Sequence, residues 1–141
     1  MKFKGFKKKF SNAKKTRVDG ILFDSKVEAD RYKYLKGLQK AGKIKNLELQ
    51  KPFELIEKQN KGSHKIPSVC KANVKTIRAV KYYADFVYLR VKDMVWVVND
   101  VKGRSSEVYK LKMKLFIALN GDKFQFLETY KDNKRNNFIE F

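Results

Sequence analysis

The chain has a single cysteine, Cys70, and a single histidine, His64, among 141 residues. An internal disulfide is excluded, and soft ligands are too few for a zinc finger or an H-E-x-x-H site. Histidine-dependent triads and histidine-metal nucleases fit poorly for the same reason. No apolar run approaches the ~20 residues that cross a bilayer, and the opening MKFKGFKKKF lacks the apolar segment of a secretory signal, so a cytoplasmic protein is expected. Neither G-x-x-x-x-G-K-[ST] nor G-x-G-x-x-G occurs, which leaves an NTPase or dinucleotide enzyme without support. Acids are scarce too: 15 Asp and Glu stand against 34 Lys and Arg, a formal net charge of +19.

A charge of that size repels itself in a compact chain, and a polyanion is the partner that relieves it. Nucleic acid is the expected partner. Residues 1–17 hold Lys2, Lys4, Lys7, Lys8, Lys9, Lys14, Lys15 and Arg17 and no acid, which reads as a flexible basic arm. Phe3, Phe6 and Phe10 are interleaved with these lysines, to stack on bases or to dock the arm on the domain. The arm carries less than half of the excess, so the body must be basic as well. A second acid-free stretch runs from Lys58 to Lys81. An anionic membrane fits less well, because no clean apolar stripe accompanies the basic residues of the arm.

With 43% hydrophobic and 13% aromatic residues, the chain can fill one core, and residues 18–141 read as a single α/β domain. Val18-Asp19-Gly20-Ile21 reads as a tight turn. Asp24-Ser25 opens a helix over about 26–41, with Val27, Tyr34, Leu35, Leu38 and Ala41 at helical spacing. Residues 44–55 form a strand with Leu47, Leu49, Phe53 and Leu55 on one parity, followed by a basic insertion over about 57–75. Thr76 to Arg90 and Met94 to Lys102 form a hairpin. Ser105 or Ser106 caps a second helix whose buried stripe is Val108, Leu111, Leu115 and Leu119, and Asn120-Gly121 stops it. Lys123 to Thr129 then returns as a strand through a parallel crossover.

Alternation along Met94 to Lys102 places Asp100 and Lys102 on one face at the strand's end. Asp85 stands alone in the apolar Tyr82-Tyr83-Ala84-Asp85-Phe86-Val87-Tyr88. Lone charges in apolar strands are costly unless they bind something or do chemistry, and a divalent cation would relieve two neighbouring carboxylates. Glu28 follows Ser25 as a capping-box pattern, so helix capping is a strong alternative to a functional role. Tyr82, Tyr83 and Trp96 read as core aromatics.

These residues resemble the PD-(D/E)xK nuclease superfamily. Ser25-Lys26-Val27-Glu28-Ala29 is similar to its helix motif, Ala84-Asp85-Phe86 to its Asp strand, and Asp100-Val101-Lys102-Gly103 to D/E-x-K, with Asp100 where Glu is commoner. Asn12-Ala13-Lys14-Lys15, Val18-Asp19-Gly20 and Leu49-Gln50 further resemble a branch of small phage-borne proteins whose core is like that of Holliday-junction-resolving enzymes and a transposon end-cleaving endonuclease. The resemblance implies a restriction-endonuclease-like core of helix, three-strand mixed sheet with a hairpin, helix and further strand. It implies a Mg²⁺-dependent endodeoxyribonuclease, with Mn²⁺ able to substitute, acting on branched or structured DNA in phage replication or recombination. Glu28, Asp85, Asp100 and Lys102 would be catalytic. The metal ligands would be Asp85, Asp100 and the Val101 backbone carbonyl, joined by Glu28 directly or through water. Lys7, Lys8, Lys9, Lys14, Lys15, Arg17, Lys81 and Arg104 would contact DNA. Gln50 would be auxiliary, with a plain polar strand residue as the alternative. Because resolving a junction takes two cuts, a homodimer is compatible with this scheme. Two other functions stay open: a nicking or sequence-selective endonuclease on linear DNA, and a non-catalytic DNA-binding protein built on the same core.

Overall fold

The computed structural model describes residues 14–60, 62, 76–102, 106–132 and 137–140. The elements run β1 (Thr16–Val18), β2 (Ile21–Phe23), α1 (Lys26–Lys40), β3 (Ile44–Ile56), β4 (Gln59–Asn60), β5 (Thr76–Ile77), β6 (Val80–Arg90), β7 (Val95–Val101), α2 (Glu107–Asn120), β8 (Phe124–Asp132) and β9 (Asn137–Glu140). A mixed sheet of order β3-β6-β7-β8-β9 carries the fold, parallel only between β7 and β8. Two short ribbons, β1-β2 and β4-β5, stand apart from it. Among the described residues the fold is therefore mixed α/β, with one five-stranded mixed sheet, two short ribbons and two helices. None of these helices is long and apolar enough to cross a membrane, among the described residues.

Local chemistry sets the boundaries. Ser25 caps α1, its hydroxyl oxygen accepting from the Glu28 N–H at 3.2 Å. Ser106 caps α2 in the same way through Tyr109 N–H. Gly121 ends α2, and a side chain there would bring its Cβ within 2.6 Å of the Ile117 carbonyl oxygen, so close approach requires the glycine. The turn Asp19-Gly20 has both residues at positive φ, 50° and 78°, the conformation that joins a tight hairpin. That hairpin corrects the extent of the basic arm: Thr16 and Arg17 belong to β1, while residues 1–13 lie outside the described residues.

Two apolar clusters flank the sheet. Ala29, Tyr32 and Leu35 of α1 pack with Phe86, Tyr88 and Val97, and Phe116 of α2 packs with Tyr82, Ala84, Val87 and Val98. Of the expected stripe of α1, Leu35 is buried and Leu38 packs against the same core, whereas Tyr34 and Ala41 are exposed, and Ala29, Arg31 and Tyr32 are buried instead. The α2 stripe is also corrected. Phe116 is the buried residue of that helix, with Val108, Leu111 and Leu119 turned outward and Leu115 half-buried. The physical reason is the aromatic cluster that Phe116 joins, with ring centroids 4.9 Å from Phe53 and 5.3 Å from Tyr82.

The sheet is larger than expected, because β9 pairs antiparallel with β8 beyond the last expected strand. The expected strand 76–90 divides into β5 and β6. Much of the expected insertion lies outside the described residues, its ends joined by the pairs Gln59 with Ile77 and Asn60 with Thr76.

Candidate functional site

Leu47 and Leu49 pack on the α1 side, whereas Phe53 and Leu55 pack on the α2 side, although all four share one parity. The switch occurs at Gln50, whose φ is 50°. Opposite it, β6 switches as well: Tyr82 and Ala84 face the α2 cluster, while Phe86 and Tyr88 face the α1 cluster. Gln50 and Asp85 thus sit where both strands change sides, between the paired positions Leu49 with Phe86 and Lys51 with Ala84. The Gln50 side-chain amide donates to Asp85 Oδ1 at 3.2 Å.

The β6-β7 ladder ends at Phe86 and Asn99, and the carboxylates occupy the gap beyond it. Asp100 Oδ1 accepts from Asp85 N–H at 3.4 Å, and Asp85 Oδ2 accepts from Val101 N–H at 2.9 Å. Asp100 also accepts from the Tyr82 hydroxyl at 2.8 Å and from the Lys102 ammonium at 3.2 Å. Asp100 and Lys102 are a buried pair, their side chains 7% and 8% exposed. The Lys102 ammonium further lies over the ring of Tyr109, whose hydroxyl donates to Glu128 at 2.6 Å. An ion pair so buried is costly to assemble, and here three neighbouring groups hold it in one geometry.

Burial and repulsion from Asp100 push the Asp85 carboxyl up to about 7, against the opposing bonds from Val101 and Gln50. Burial is also the main cause that raises Glu28 above its ordinary value; Asp24 and Asp100 add to the rise, and the Ser25 hydroxyl opposes it. Burial and the Asp100 charge push the Tyr82 hydroxyl far upward, keeping it a neutral donor. The carboxylates of Glu28 and Asp85, with Gln50, line a cleft of about 190 Å³ whose other walls include Ile21, Leu22, Phe23 and Leu49. Among the described residues, no three His, Cys, Asp or Glu side chains stand close enough together to form a metal cage by themselves.

Asp85, Asp100, Val101, Lys102 and Gln50 are therefore linked by direct contacts, and Glu28 shares their cleft while its carboxylate also accepts from the Ser25 hydroxyl at 3.1 Å. Lys14 and Lys81 are exposed. Lys15 faces Asp24 at 3.8 Å, and Arg17 donates to the Gly20 carbonyl at 3.1 Å. Lys7, Lys8, Lys9 and Arg104 lie outside the described residues. Tyr83 is 55% exposed rather than part of the core.

Sequence reasoning missed several participants. Tyr82 reads as a core aromatic but supplies a donor to Asp100, and Tyr109 with Glu128 supports Lys102 from α2 and β8. Arg31 and Asn99 were missed as well: Arg31 Nε donates to Asn99 Oδ1 at 2.9 Å, and Asn99 in turn donates to Leu127 O and Thr129 Oγ1. The one available signal was position: Arg31 lies one turn after Glu28, and Asn99 immediately precedes Asp100. No curated protein matches the chain in sequence. A family model described as a protein of unknown function, DUF1064, matches residues 7–136, and the chain belongs to that family.

Proposed function

We propose that this protein is a metal-dependent DNA endonuclease with a restriction-endonuclease-like core. The observation that carries the reading is the meeting of Asp85, Asp100 and Lys102 where β6 and β7 part, with Glu28 in the adjoining cleft. Branched or structured DNA is the substrate this reading favours, on the resemblance to small resolvases.

The donor set fits Mg²⁺, with Mn²⁺ able to replace it: hard oxygens, no sulfur or imidazole, and a carboxyl pushed up to about 7 by burial and a like charge that a cation would offset. Asp85, Asp100 and the Val101 carbonyl would hold the ion, and Glu28 would join directly or through water. When bound, it would polarise the scissile phosphate and acidify a water. Lys102, a compact ammonium fixed by Asp100 and Tyr109, orients the attacking water and offsets charge accumulating on the phosphate. Tyr82 donates to Asp100 and keeps that carboxylate aimed at the gap. Lys14, Lys15, Arg17 and Lys81 supply phosphate contacts that carry affinity but no sequence information.

The test is cleavage of a labelled four-way junction, matched linear duplex and single strand with Mg²⁺, Mn²⁺ or chelator. Metal-dependent products on the junction, lost in Asp100→Asn, are expected. Binding without cleavage under every metal condition would make the protein a non-catalytic DNA binder, and equal cutting of linear DNA would remove the branched-DNA preference.

A further inference from the structure

At the C-terminal end of α1 the chain reverses into β3 through Gly42, whose φ of 68° suits a glycine. Ala41, Gly42 and Lys43 turn their N–H groups back onto the helix, Lys43 donating to the Leu38 carbonyl at 2.9 Å, so carbonyls that would repel an anion there are already taken up. The Lys43 carbonyl in turn accepts from Val91 N–H at 3.0 Å, which fixes the end of α1 to the turn after β6. Beside this junction lies a pocket of about 540 Å³, the size of ordinary small-ligand sites, lined by Tyr34, Leu38 and Tyr88 and by the cations Lys43, Arg90 and Lys92.

We infer that this pocket takes one nucleotide, its base stacked on Tyr34 and its phosphate held by Lys43 and Lys92. Tyr34 is 44% exposed, and the guanidinium of the fully buried Arg31 backs its ring at 5.1 Å from the centroid, so the stacking platform is supported from within. Asp93 pairs with Arg90 at 2.8 Å and offsets one of the three cations; Lys43 and Lys92 are exposed and remain in excess. Charge therefore selects the occupant. The arm of residues 1–13 would bring lysines to a cationic wall, and a second copy of a chain of net charge +19 fares no better, whereas an anion with an aromatic body suits both the lysines and the ring. A purely aliphatic anion would leave the tyrosine face without a stacking partner.

The pocket is separate from the carboxylate cleft. Arg90 lies five residues along β6 from Asp85, about 17 Å at ~3.4 Å per residue. The inference concerns binding alone and does not depend on what the Asp85 and Asp100 site does. A nucleotide can reach the pocket from two sources, as a free mononucleotide or as a unit of a single strand whose base has left its stack, and the same ring and lysines serve both.

The experiment is calorimetric titration of the full chain in chelator, where no metal-dependent cleavage can intervene, with dAMP, deoxyadenosine, single-stranded hexadeoxyadenylate and laurate. Tyr34→Ala should weaken nucleotide binding about fivefold or more, with an unchanged circular dichroism spectrum because position 34 is exposed. Lys43→Glu should weaken it about tenfold. Lys114→Glu makes the same charge change on α2, across the sheet, and should leave dAMP binding unchanged and lower strand affinity far less. Deoxyadenosine, which lacks the phosphate, should bind about tenfold more weakly than dAMP, and amide shifts caused by dAMP should gather at Gly42, Lys43 and Val91 rather than at Asp85 and Val101. A pocket-dependent response to the strand alone identifies a unit of single-stranded DNA as the ligand, a response to dAMP alone identifies a free nucleotide, and competition between the two identifies a site open to both. Absence of binding by either probe overturns the inference. So do affinities that Tyr34→Ala and Lys43→Glu change no more than Lys114→Glu does, and so does laurate binding more tightly than the nucleotide.

Discussion

Asp85 and Asp100 sit on neighbouring strands, and each carboxylate bonds an amide of the other's strand: Asp100 takes the N–H of Asp85, and Asp85 takes the N–H of Val101. The sheet is thus continued by side chains at the point where its backbone ladder stops. Two like charges are locked together by bonds that neither can leave without orphaning an amide.

The first prediction follows from the Asp85 carboxyl, pushed up to about 7. Its folded-state value lies above the unfolded one, so the ionised group destabilises the fold at alkaline pH. As pH falls through about 7 toward the ordinary aspartate range, the folded state takes up a proton first and gains stability. Metal-free protein should therefore show a rising contribution of this group to the thermal midpoint from pH 8 to pH 5. Asp85→Asn should flatten that component and raise the midpoint at pH 8. Calorimetry in chelator checks both, and Mg²⁺ should raise the wild-type midpoint more at pH 8 than at pH 6.

Glu28 separates two roles on one residue. Ser25→Ala removes the cap of α1 and should cost about 1 kcal/mol of stability. Glu28→Gln keeps its own N–H on Ser25, so stability should change little while cleavage falls at least tenfold. If Glu28→Gln retains full turnover at saturating Mg²⁺, the residue is only part of the cap.

Gln50 holds a left-handed backbone that costs a non-glycine residue roughly 1 kcal/mol. Gln50→Gly should relieve that strain and leave the switch between cores intact, so the thermal midpoint should hold or rise. It also removes the amide from Asp85, and the cleavage rate should drop. Parallel loss of stability and activity would mean that Gln50 serves packing alone.

Deleting Met1 to Lys9 removes Lys2, Lys4, Lys7, Lys8 and Lys9. Affinity for all DNA forms should weaken, and the slope of log affinity against log salt should become shallower by roughly 0.9 for each lost phosphate contact on duplex. Single-turnover cleavage at saturating DNA should hold. A salt titration of both proteins decides it, and an unchanged slope assigns the contacts to the folded body.

Much of this was legible in the sequence. The cap at Ser25, the Asp19-Gly20 turn, the alternation of Val97 and Val98 and the neighbourhood of Asp100 and Lys102 all follow from short-range rules. What escaped depends on long-range competition. Parity placed Leu47 through Leu55 on one face, and only the backbone at Gln50 divides them. Helical spacing marked the leucines of α2 as buried, but the helix has two apolar faces, and the one holding Phe116 meets Phe53, Tyr82, Phe124 and Phe126. Strand β9 is four residues long and gains its place from pairing with β8, which no local pattern announces.

The β4-β5 ribbon fastens Gln59 to Ile77 and Asn60 to Thr76. Those two pairs bring the chain positions on either side of residues 61–75 together, so the entropy of closing that interval depends only weakly on its length, by about 0.6 kcal/mol per doubling.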